Sequence, residues 1–541
     1  MESNIKKEFF SIKSDLLKLK EDEIINWFIK FGFYGDKYKY PPMFLVTEYE
    51  LPNKSVASLN KSTVYELLNL KINSNNSNSR IFSLIHPNIY CEVVKLISKN
   101  WEFIIDNIFN DDLKIFSFSF PLPVDKEKVN IKNDISGRKK VNIKNNTSNR
   151  RRINIKNDTS AGTMVYNFLA LEENIISDSH NYKYILRADI SKCYHSIYTH
   201  SIAWALHGKL KAREDKEKLT LLGNKLDKYF QLANGGQTNG IPIGSAISDV
   251  VAEIVLSSID KEISKDSKIN SMDFIAARYK DDYRFLCNSE KDAIYIRNIL
   301  EEKLRKYNLF INIEKTSIMK LPQGLERKWK KLYDKNCNLP KKFLKYKSFI
   351  NAYFYLIEIE NTVPGSSMIL KFLDSLIDIK GNLIFSNLKP KEIIKVINLL
   401  SLLIDYLPRV LAQVLAIIEL FIKDISKESE VYQFVVSFIE KTYLDIVDSS
   451  NIDEYKLIWI YFFAKKHNIN VNCENPNFKR VLNENRFLQC LENEKCIFDN
   501  ISWKINLINR KYKKDLIYNH ISLYHKTHHN TEEEEYNTNL M

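Results

Sequence analysis

The sequence predicts an α+β protein in which an antiparallel sheet backed by helices is followed by an all-α region. From residue 184 to about 320, strand, helix, hairpin, helix and strand follow in order, which is typical of a split βαβ unit. After about residue 326 the segments are long, apolar and helix-periodic, which indicates a helical-repeat arrangement. We therefore expect two domains, residues 1–325 and residues 326–541.

The elements between residues 184 and 320 are predicted from short segments with a clear strand or helix pattern. In chain order they are the strand YILRADI (184–190), the helix 244–260 with Ser245 as its N-cap, the hairpin FIAARY and YRFLC around Asp281 and Asp282, the helix 289–307 opened by Ser289-x-x-Asp292, and the strand LFINIE (309–314). The segment KEFFSIKSDLLKLKEDEIINWFIKFGF predicts that the N-terminal part begins with helices.

Composition narrows the function classes. The chain has 541 residues, 44% of them apolar, which indicates a globular protein and excludes a disordered one. The formal net charge of +13 favours a polyanionic partner, nucleic acid first and an anionic membrane surface second. The 7 cysteines occur singly without a CxxC pair, which argues against disulfides or a zinc site and indicates a reducing compartment.

The sequence predicts neither a signal peptide nor a membrane span. MESNIKKEFF lacks the apolar core of a signal peptide. The most apolar stretch, residues 396–423, contains Asp405, Arg409 and Glu419, so it indicates buried helices. We expect a cytoplasmic protein without a membrane partner.

A twelve-residue repeat occupies residues 129–160 as VNIKNDISGRKK, VNIKNNTSNRRR and INIKNDTSAGTM. Copies this short are not solenoid units. We interpret them as a local duplication that lengthens a basic surface loop at about residues 121–163. An arm that contacts phosphates is the functional alternative.

Three acidic residues at predicted strand ends predict a metal site. Asp189 ends YILRADI, and Asp281 and Asp282 occupy the turn in RYKDDYRFLC. If that strand lies beside the hairpin, the three carboxylates repel each other unless a cation lies among them. Two Mg²⁺ or Mn²⁺ ions about 3.5–4 Å apart would clamp the attacking and leaving oxygens of a phosphoryl transfer. For the aspartate pair alone, an ordinary polar turn is the alternative.

Four ordered motifs resemble those of a known family. RADISKCYHSIYTHSIAWALHGK, GGQTNGIPIGSAISDVVAEIVLSSID, RYKDDYRF and LFINIEKTSIMKLP, within residues 184–322, resemble motifs A, B, C and D of reverse transcriptases. The strings SIYTHSIAWALHGK and GQTNGIPIGS and the helical C-terminal region resemble the abortive-infection (Abi) class of bacterial reverse transcriptases, which serve in phage defence. Residues 80–90 resemble a segment of the fingers. Lys280 departs from the pattern, because a small or apolar residue is usual there.

The resemblance implies catalytic roles for four residues. Asp189, Asp281 and Asp282 would hold two Mg²⁺ or Mn²⁺ ions. Lys315 matches the motif D lysine that protonates or neutralises the departing pyrophosphate. A solvated surface lysine is the alternative for Lys315.

The resemblance also implies nucleotide-binding roles. Tyr194 would lie against the sugar 2′ position and so select deoxynucleotides, and Arg80 would grip the triphosphate. Gln237, Gly240 and Pro242 would shape the turn beside the incoming nucleotide or the template. The alternatives are a core tyrosine, a surface arginine and a helix-entry loop without nucleotide contact.

The Abi class implies DNA synthesis from dNTPs without a template, priming by a hydroxyl of the protein, single-stranded DNA attached to the chain, and a homo-oligomer. Candidates for priming are Tyr34, Tyr38, Tyr40 and Tyr49, whose alternative is packing in an apolar loop. The helical C-terminal half would shape a product channel or the oligomer interface. Two readings of the whole chain stay open: a templated polymerase of retron or group II intron type that uses an RNA template, and a catalytically retired nucleic-acid-binding scaffold.

Overall fold

The structure is a computed structural model that describes residues 3–35, 39–58, 65–73, 79–121, 170–326, 332–335, 337, 339–340, 343–364, 368–378 and 380–521. The twelve-residue repeats at 129–160 lie outside the described residues, as does the basic loop around them beyond residue 121. Within the described ranges, no helix is both long enough and apolar enough to cross a lipid bilayer.

The strands form one five-stranded sheet and two smaller pairs. They are β1 (Phe44–Glu50), β2 (Leu68–Asn73), β3 (Ser79–Leu84), β4 (Ile115–Ser117), β5 (Tyr184–Asp189), β6 (Phe274–Tyr279), β7 (Asp282–Cys287), β8 (Ser317–Lys320) and β9 (Lys504–Ile508). The large sheet has the order β4-β6-β7-β5-β8. Its centre confirms the predicted hairpin, because β6 and β7 pair antiparallel, and β5 pairs antiparallel with β7.

Two predictions about this sheet are wrong. The sheet is not purely antiparallel, because β4 runs parallel to β6, and the long connection between them supplies the crossover that parallel pairing needs. LFINIE is not a strand: it contributes one bridge, between Ile190 and Ile311, and the edge strand is β8. Leu309 is buried, but Asn312 caps a short 3₁₀ turn, and Phe310 and Ile313 are exposed, so burial does not follow the alternation of a strand through the segment.

The helices of the N-terminal part are α1 (Asn4–Leu16), α2 (Glu21–Trp27), α3 (Pro87–Lys99), α4 (Trp101–Ile108), α5 (Cys193–Ser196), α6 (His200–His207), α7 (Lys209–Glu214), α8 (Leu222–Ala233), α9 (Ala246–Ser264), α10 (Ser267–Ser271) and α11 (Glu290–Lys306). The cap of α11 is confirmed, because Ser289 accepts a hydrogen bond from the Asp292 N–H at 3.1 Å. Helix α9 begins after Ser245 as predicted, but the Ser245 hydroxyl bonds to that of Ser248.

The C-terminal part consists mainly of helices that pack against their neighbours: α12 (Tyr346–Thr362), α13 (Met368–Ser375), α14 (Pro390–Tyr406), α15 (Leu411–Ile422), α16 (Glu430–Val447), α17 (Glu454–His467), α18 (Pro476–Glu484) and α19 (Arg486–Asn493). The all-α prediction is wrong at β9, whose sequence KINLI alternates polar and apolar residues and therefore suits a strand. The repeat character of these helices stays a prediction.

The end of the described chain packs onto its beginning. Strand β9 pairs antiparallel with β1. The buried Asn88 side chain donates to the Asn500 carbonyl at 3.1 Å and accepts from the Ser502 N–H at 2.9 Å. Trp503 donates its indole N–H to the Pro87 carbonyl at 3.3 Å. Segments more than 400 residues apart in sequence therefore share one packed unit, while the domain boundary at residues 325–326 stays a prediction.

Candidate active site

Antiparallel pairing brings the three predicted carboxylates together. Asp189, the last residue of β5, lies directly opposite Asp282, the first residue of β7. Asp281 occupies the turn before Asp282, and its carbonyl accepts a hydrogen bond from the Ile190 N–H at 3.1 Å. The register therefore gathers these three acids at one end of the two central strands.

Burial and mutual repulsion disfavour the charged forms of two of these acids. Burial raises the pKa of Asp281, and the negative charge of Asp189 raises it further. Burial also raises the pKa of Asp282, although the neighbouring Arg284 and Arg187 oppose that rise. Carboxylates in this state gain free energy from a cation placed among them.

Protein cations already approach two of the three carboxylates. Lys315 Nζ lies 3.0 Å from Asp189 Oδ2, and Arg284 Nη2 lies 3.4 Å from Asp282 Oδ2. In the part of the chain that the structure describes, no group of three or more His, Cys, Asp or Glu side chains has a ready metal-binding geometry. The donor set nevertheless fits a hard divalent ion, because all three residues offer carboxylate oxygens and two have pKa values raised by burial.

The turn that carries Asp281 is fixed through its neighbour Lys280. Lys280 adopts a left-handed conformation with φ of 53°, which is uncommon for lysine. Its N–H donates to the Ser119 hydroxyl at 2.6 Å, and its carbonyl accepts from Arg278 Nη1 at 3.1 Å. These two bonds hold the turn in its unusual shape and so position Asp281.

A buried ion network lies beneath this turn. Arg278 is fully buried and contacts Glu253 Oε1 at 2.9 Å and Asp260 Oδ2 at 2.8 Å. The Tyr283 hydroxyl donates to Asp260 at 2.9 Å, and the Ser117 hydroxyl donates to Glu253 at 2.6 Å. The network joins helix α9 to three strands of the sheet next to the turn that carries Asp281.

This network was not among the features predicted above, although the sequence carries a signal for it. FIAARY places Arg278 within an otherwise apolar strand, where an unpaired charge would be costly. Glu253 and Asp260 are seven residues apart, which puts them on one face of the helix predicted there. An arginine in a buried strand and two acids on one helix face together predict a buried ion cluster.

The part of the chain that carries the three aspartates matches a known protein family. Residues 138–346 match the family model for reverse transcriptase (RNA-dependent DNA polymerase), a range that contains all three clustered aspartates. The chain contains a reverse transcriptase domain. This match indicates a nucleotidyltransferase domain of the RNA-directed DNA polymerase type. The resemblance to reverse transcriptases is confirmed, whereas the Abi class stays a prediction.

Solved structures similar to this chain include telomerases. The truncated apo telomerase of Candida tropicalis is 19% identical over 30% of this chain and 35% of its own, with a TM-score of 0.22. The apo telomerase of the same organism is 13% identical over 75% and 71%, with a TM-score of 0.28. The telomerase of Candida albicans in complex with a telomeric RNA fragment is 12% identical over 74% and 67%, with a TM-score of 0.24. No curated protein matches the chain.

The predicted nucleotide-binding turn of the reverse transcriptase domain precedes α9. Gly240 has φ of +84°, and a Cβ there would approach the His195 carbonyl oxygen to 3.1 Å, so glycine suits the position. Gly240 and Pro242 are buried, and Gln237 is exposed. The Ile241 N–H donates to the Tyr194 carbonyl at 2.9 Å, which ties the turn to the segment that follows β5.

Arg80 lies on the β2–β3 hairpin, outside the residues that match the family model. Its side chain is exposed. The same hairpin reaches the turn before α9, because the Ser83 N–H donates to the Ile243 carbonyl at 2.7 Å. The triphosphate role of Arg80 stays a prediction.

The candidate priming tyrosines differ in accessibility. Tyr34 is buried, donates its hydroxyl to the Leu507 carbonyl at 3.2 Å, and has a pKa raised well above its ordinary value by burial. Tyr40 is buried against Phe487. Burial therefore disfavours Tyr34 and Tyr40 as priming residues, because a priming hydroxyl must reach the incoming nucleotide. Tyr49 is half-buried and bonded to Asn26, and Tyr38 lies outside the described residues, so both stay predictions.

Lys315 offers a test of proton donation in the reverse transcriptase domain. If Lys315 is the proton donor that the motif D resemblance implies, we expect Lys315→Ala to slow single-turnover nucleotide incorporation about 10²-fold. The free energy of unfolding should change by less than about 1 kcal/mol, since the Lys315 side chain is exposed and solvent screens its charge. Lys315→Arg keeps the charge but cannot release a proton, so it should stay slow. The exposed Lys320→Ala is the matched control, and full activity of Lys315→Arg would refute proton donation.

Proposed function

We propose that this chain is a DNA polymerase of the reverse transcriptase type that adds dNTPs with the help of two Mg²⁺ or Mn²⁺ ions. The observation that carries the proposal is the β5–β7 register, in which Asp189 and Asp282 are direct partners and Asp281 adjoins them. When bound, the ions would supply charge neutralisation and activation for the phosphoryl transfer. Asp189, Asp281 and Asp282 are the residues proposed to hold them.

Each remaining residue is proposed to act on the nucleotide. Tyr194 forms the wall at the 2′ position of the sugar, and Lys315 supplies a proton to the leaving pyrophosphate. Arg80 contacts the triphosphate from the β2–β3 hairpin. The positive φ of Gly240 supports a turn whose backbone approaches the nucleotide or template closely.

The finer proposal is an Abi-type enzyme that acts in bacterial anti-phage defence in the cytoplasm. It would prime from a tyrosine of its own, copy no template, carry single-stranded DNA covalently and assemble as a homo-oligomer. Its support is the sequence resemblance in SIYTHSIAWALHGK and GQTNGIPIGS. Of the candidate primers, Tyr49 and Tyr38 are preferred, because Tyr34 and Tyr40 are buried.

The experiment compares four reactions of the purified full-length chain with dNTPs and Mg²⁺: alone, with RNA template, with DNA primer, and with both. We expect incorporation in the first reaction, and DNA that stays with the protein through phenol extraction until nuclease removes it. Strict dependence on template and primer together would instead support a templated enzyme of retron or group II intron type. Nucleic-acid binding without any Mg²⁺-dependent synthesis would overturn the polymerase proposal and support a retired scaffold.

A further inference from the structure

Three residues from three separate motifs meet beside the proposed sugar wall. The Tyr194 hydroxyl donates to Asp249 Oδ1 at 2.6 Å. Lys280 Nζ lies 3.3 Å from the same oxygen and 5.9 Å from the centroid of the Tyr194 ring. Lys280 is the residue that departs from the family pattern, and Asp249 is an acid in the first turn of α9. The unusual lysine therefore has a specific partner.

Tyr194 is held at both ends. Its carbonyl accepts from the Ile241 N–H at 2.9 Å, and its phenol donates to Asp249. Burial, followed by the charge of Asp249, raises the pKa of Tyr194 well above its ordinary value, so the phenol keeps its proton and remains the donor. A side chain fixed in this way cannot easily leave its rotamer.

Asp249 is itself held by Lys280. The side chains of Asp249 and Lys280 are 20% and 34% exposed, so their ion pair is shielded more than an ordinary surface pair. The backbone of Lys280 is anchored on Ser119 and Arg278, which limits the places that its side chain can reach. The pair thus connects the turn that carries Asp281 to the tyrosine ring.

We propose that Asp249 is a positioning residue for deoxynucleotide selection and that Lys280 keeps Asp249 in place. The inference rests on the proposed function, because it requires the Tyr194 ring to face the sugar of the incoming nucleotide. A ring fixed at its hydroxyl end excludes a 2′-hydroxyl by collision. A ring released at that end turns aside and admits the ribonucleotide.

The test measures kcat/KM for a dNTP and for the matching rNTP in the full-length enzyme. We expect Asp249→Ala to reduce the dNTP preference about tenfold, the scale on which one lost steric or packing constraint changes specificity. Tyr194→Phe should reduce the dNTP preference equally. The double variant Asp249→Ala with Tyr194→Phe should show the same preference as either single variant, because both changes break the same hydrogen bond. Asp249→Asn should retain the dNTP preference, since the asparagine amide oxygen can still accept the hydrogen bond from the Tyr194 phenol. Lys280→Met should reduce the preference less than Asp249→Ala.

The matched control is Asp273→Ala, which removes another tyrosine–aspartate hydrogen bond, from Tyr182 at 3.2 Å, near the opposite end of the hairpin. It should leave the dNTP preference unchanged, and thermal unfolding of each variant verifies folding. If Asp249→Ala does not fold, the inference is tested by the dNTP preference of Tyr194→Phe and Lys280→Met. An active wild-type enzyme whose preference is unchanged in these variants overturns the inference. A wild-type enzyme that incorporates no nucleotide overturns the proposed function instead.

Discussion

Replacing Asp281 and Asp282 together by alanine is expected to abolish dNTP incorporation, with a loss of about 10³-fold or more, because the charge stabilisation of the transition state disappears. The fold should survive. Burial raises the pKa of both carboxyls. A carboxyl whose pKa is higher in the folded than in the unfolded chain lowers stability at neutral pH, and that loss is relieved as the pH falls through the raised pKa. Removing both acids should therefore leave the free energy of unfolding at pH 7 unchanged or raise it.

The chain provides a matched control for this double variant. Asp111 and Asp112 are another adjacent pair of aspartates in a turn, and both are exposed. Asp111→Ala with Asp112→Ala should incorporate dNTPs at the wild-type rate in the same assay. Retained incorporation by the Asp281 and Asp282 variant would remove the polymerase proposal. A large drop in its unfolding free energy would show that the carboxylates support the fold instead.

Replacing Arg278 by alanine is expected to destabilise the protein by about 3–5 kcal/mol, because it leaves buried carboxylates without their cation. Arg278 contacts Glu253 at 2.9 Å and Asp260 at 2.8 Å, and all three side chains are buried. Burial raises the pKa of Asp260 to about 6, which shows how poorly the site tolerates a negative charge even with the arginine present. Urea-induced unfolding of the full-length chain at pH 7 measures the loss.

Two further variants test whether the loss of stability in Arg278→Ala comes from the buried charge network. Arg305→Ala removes an exposed arginine paired with Glu301 and should change the unfolding free energy by about 0.5 kcal/mol or less. Arg278→Met combined with Glu253→Gln and Asp260→Asn removes every charge of the network and should recover part of the stability. If Arg278→Ala lowered the free energy of unfolding by less than about 1 kcal/mol, water would have to reach the network and solvate the remaining carboxylates.

The hairpin could be predicted because it depends on local signals, whereas the pairing of β5 with β7 was a condition that the sequence alone did not establish. Alternating apolar residues on both sides of Asp281 and Asp282 predict a hairpin, and the acid at the end of YILRADI predicts a partner for it. The relative placement of these strands is set by the same register that buries their apolar side chains. The sequence was therefore sufficient for the hairpin, while the structure supplies the pairing of β5 with β7 that gathers the three acids.

Features decided by distant packing could not be predicted in the same way. KINLI at 504–508 is short and lies among helices, and it becomes a strand because β1 offers an edge more than 450 residues earlier in the chain. LFINIE has the alternation of a strand, but its Phe310 and Ile313 stay exposed in the folded chain. The contact of Asp249 with Tyr194 and Lys280 joins three motifs whose relative positions only the folded chain reveals.

The pairing of β1 with β9 has a consequence for how the protein is made. Until the ribosome has added residues 504–508, β1 lacks β9, its partner among the described strands, and the contacts of Asn88 with Asn500 and Ser502 cannot form. A nascent or prematurely terminated chain would expose that strand edge, which invites aggregation or capture by chaperones. Synthesis through residue 508 is thus a condition for this part of the fold, so products that end before it should not accumulate in folded form.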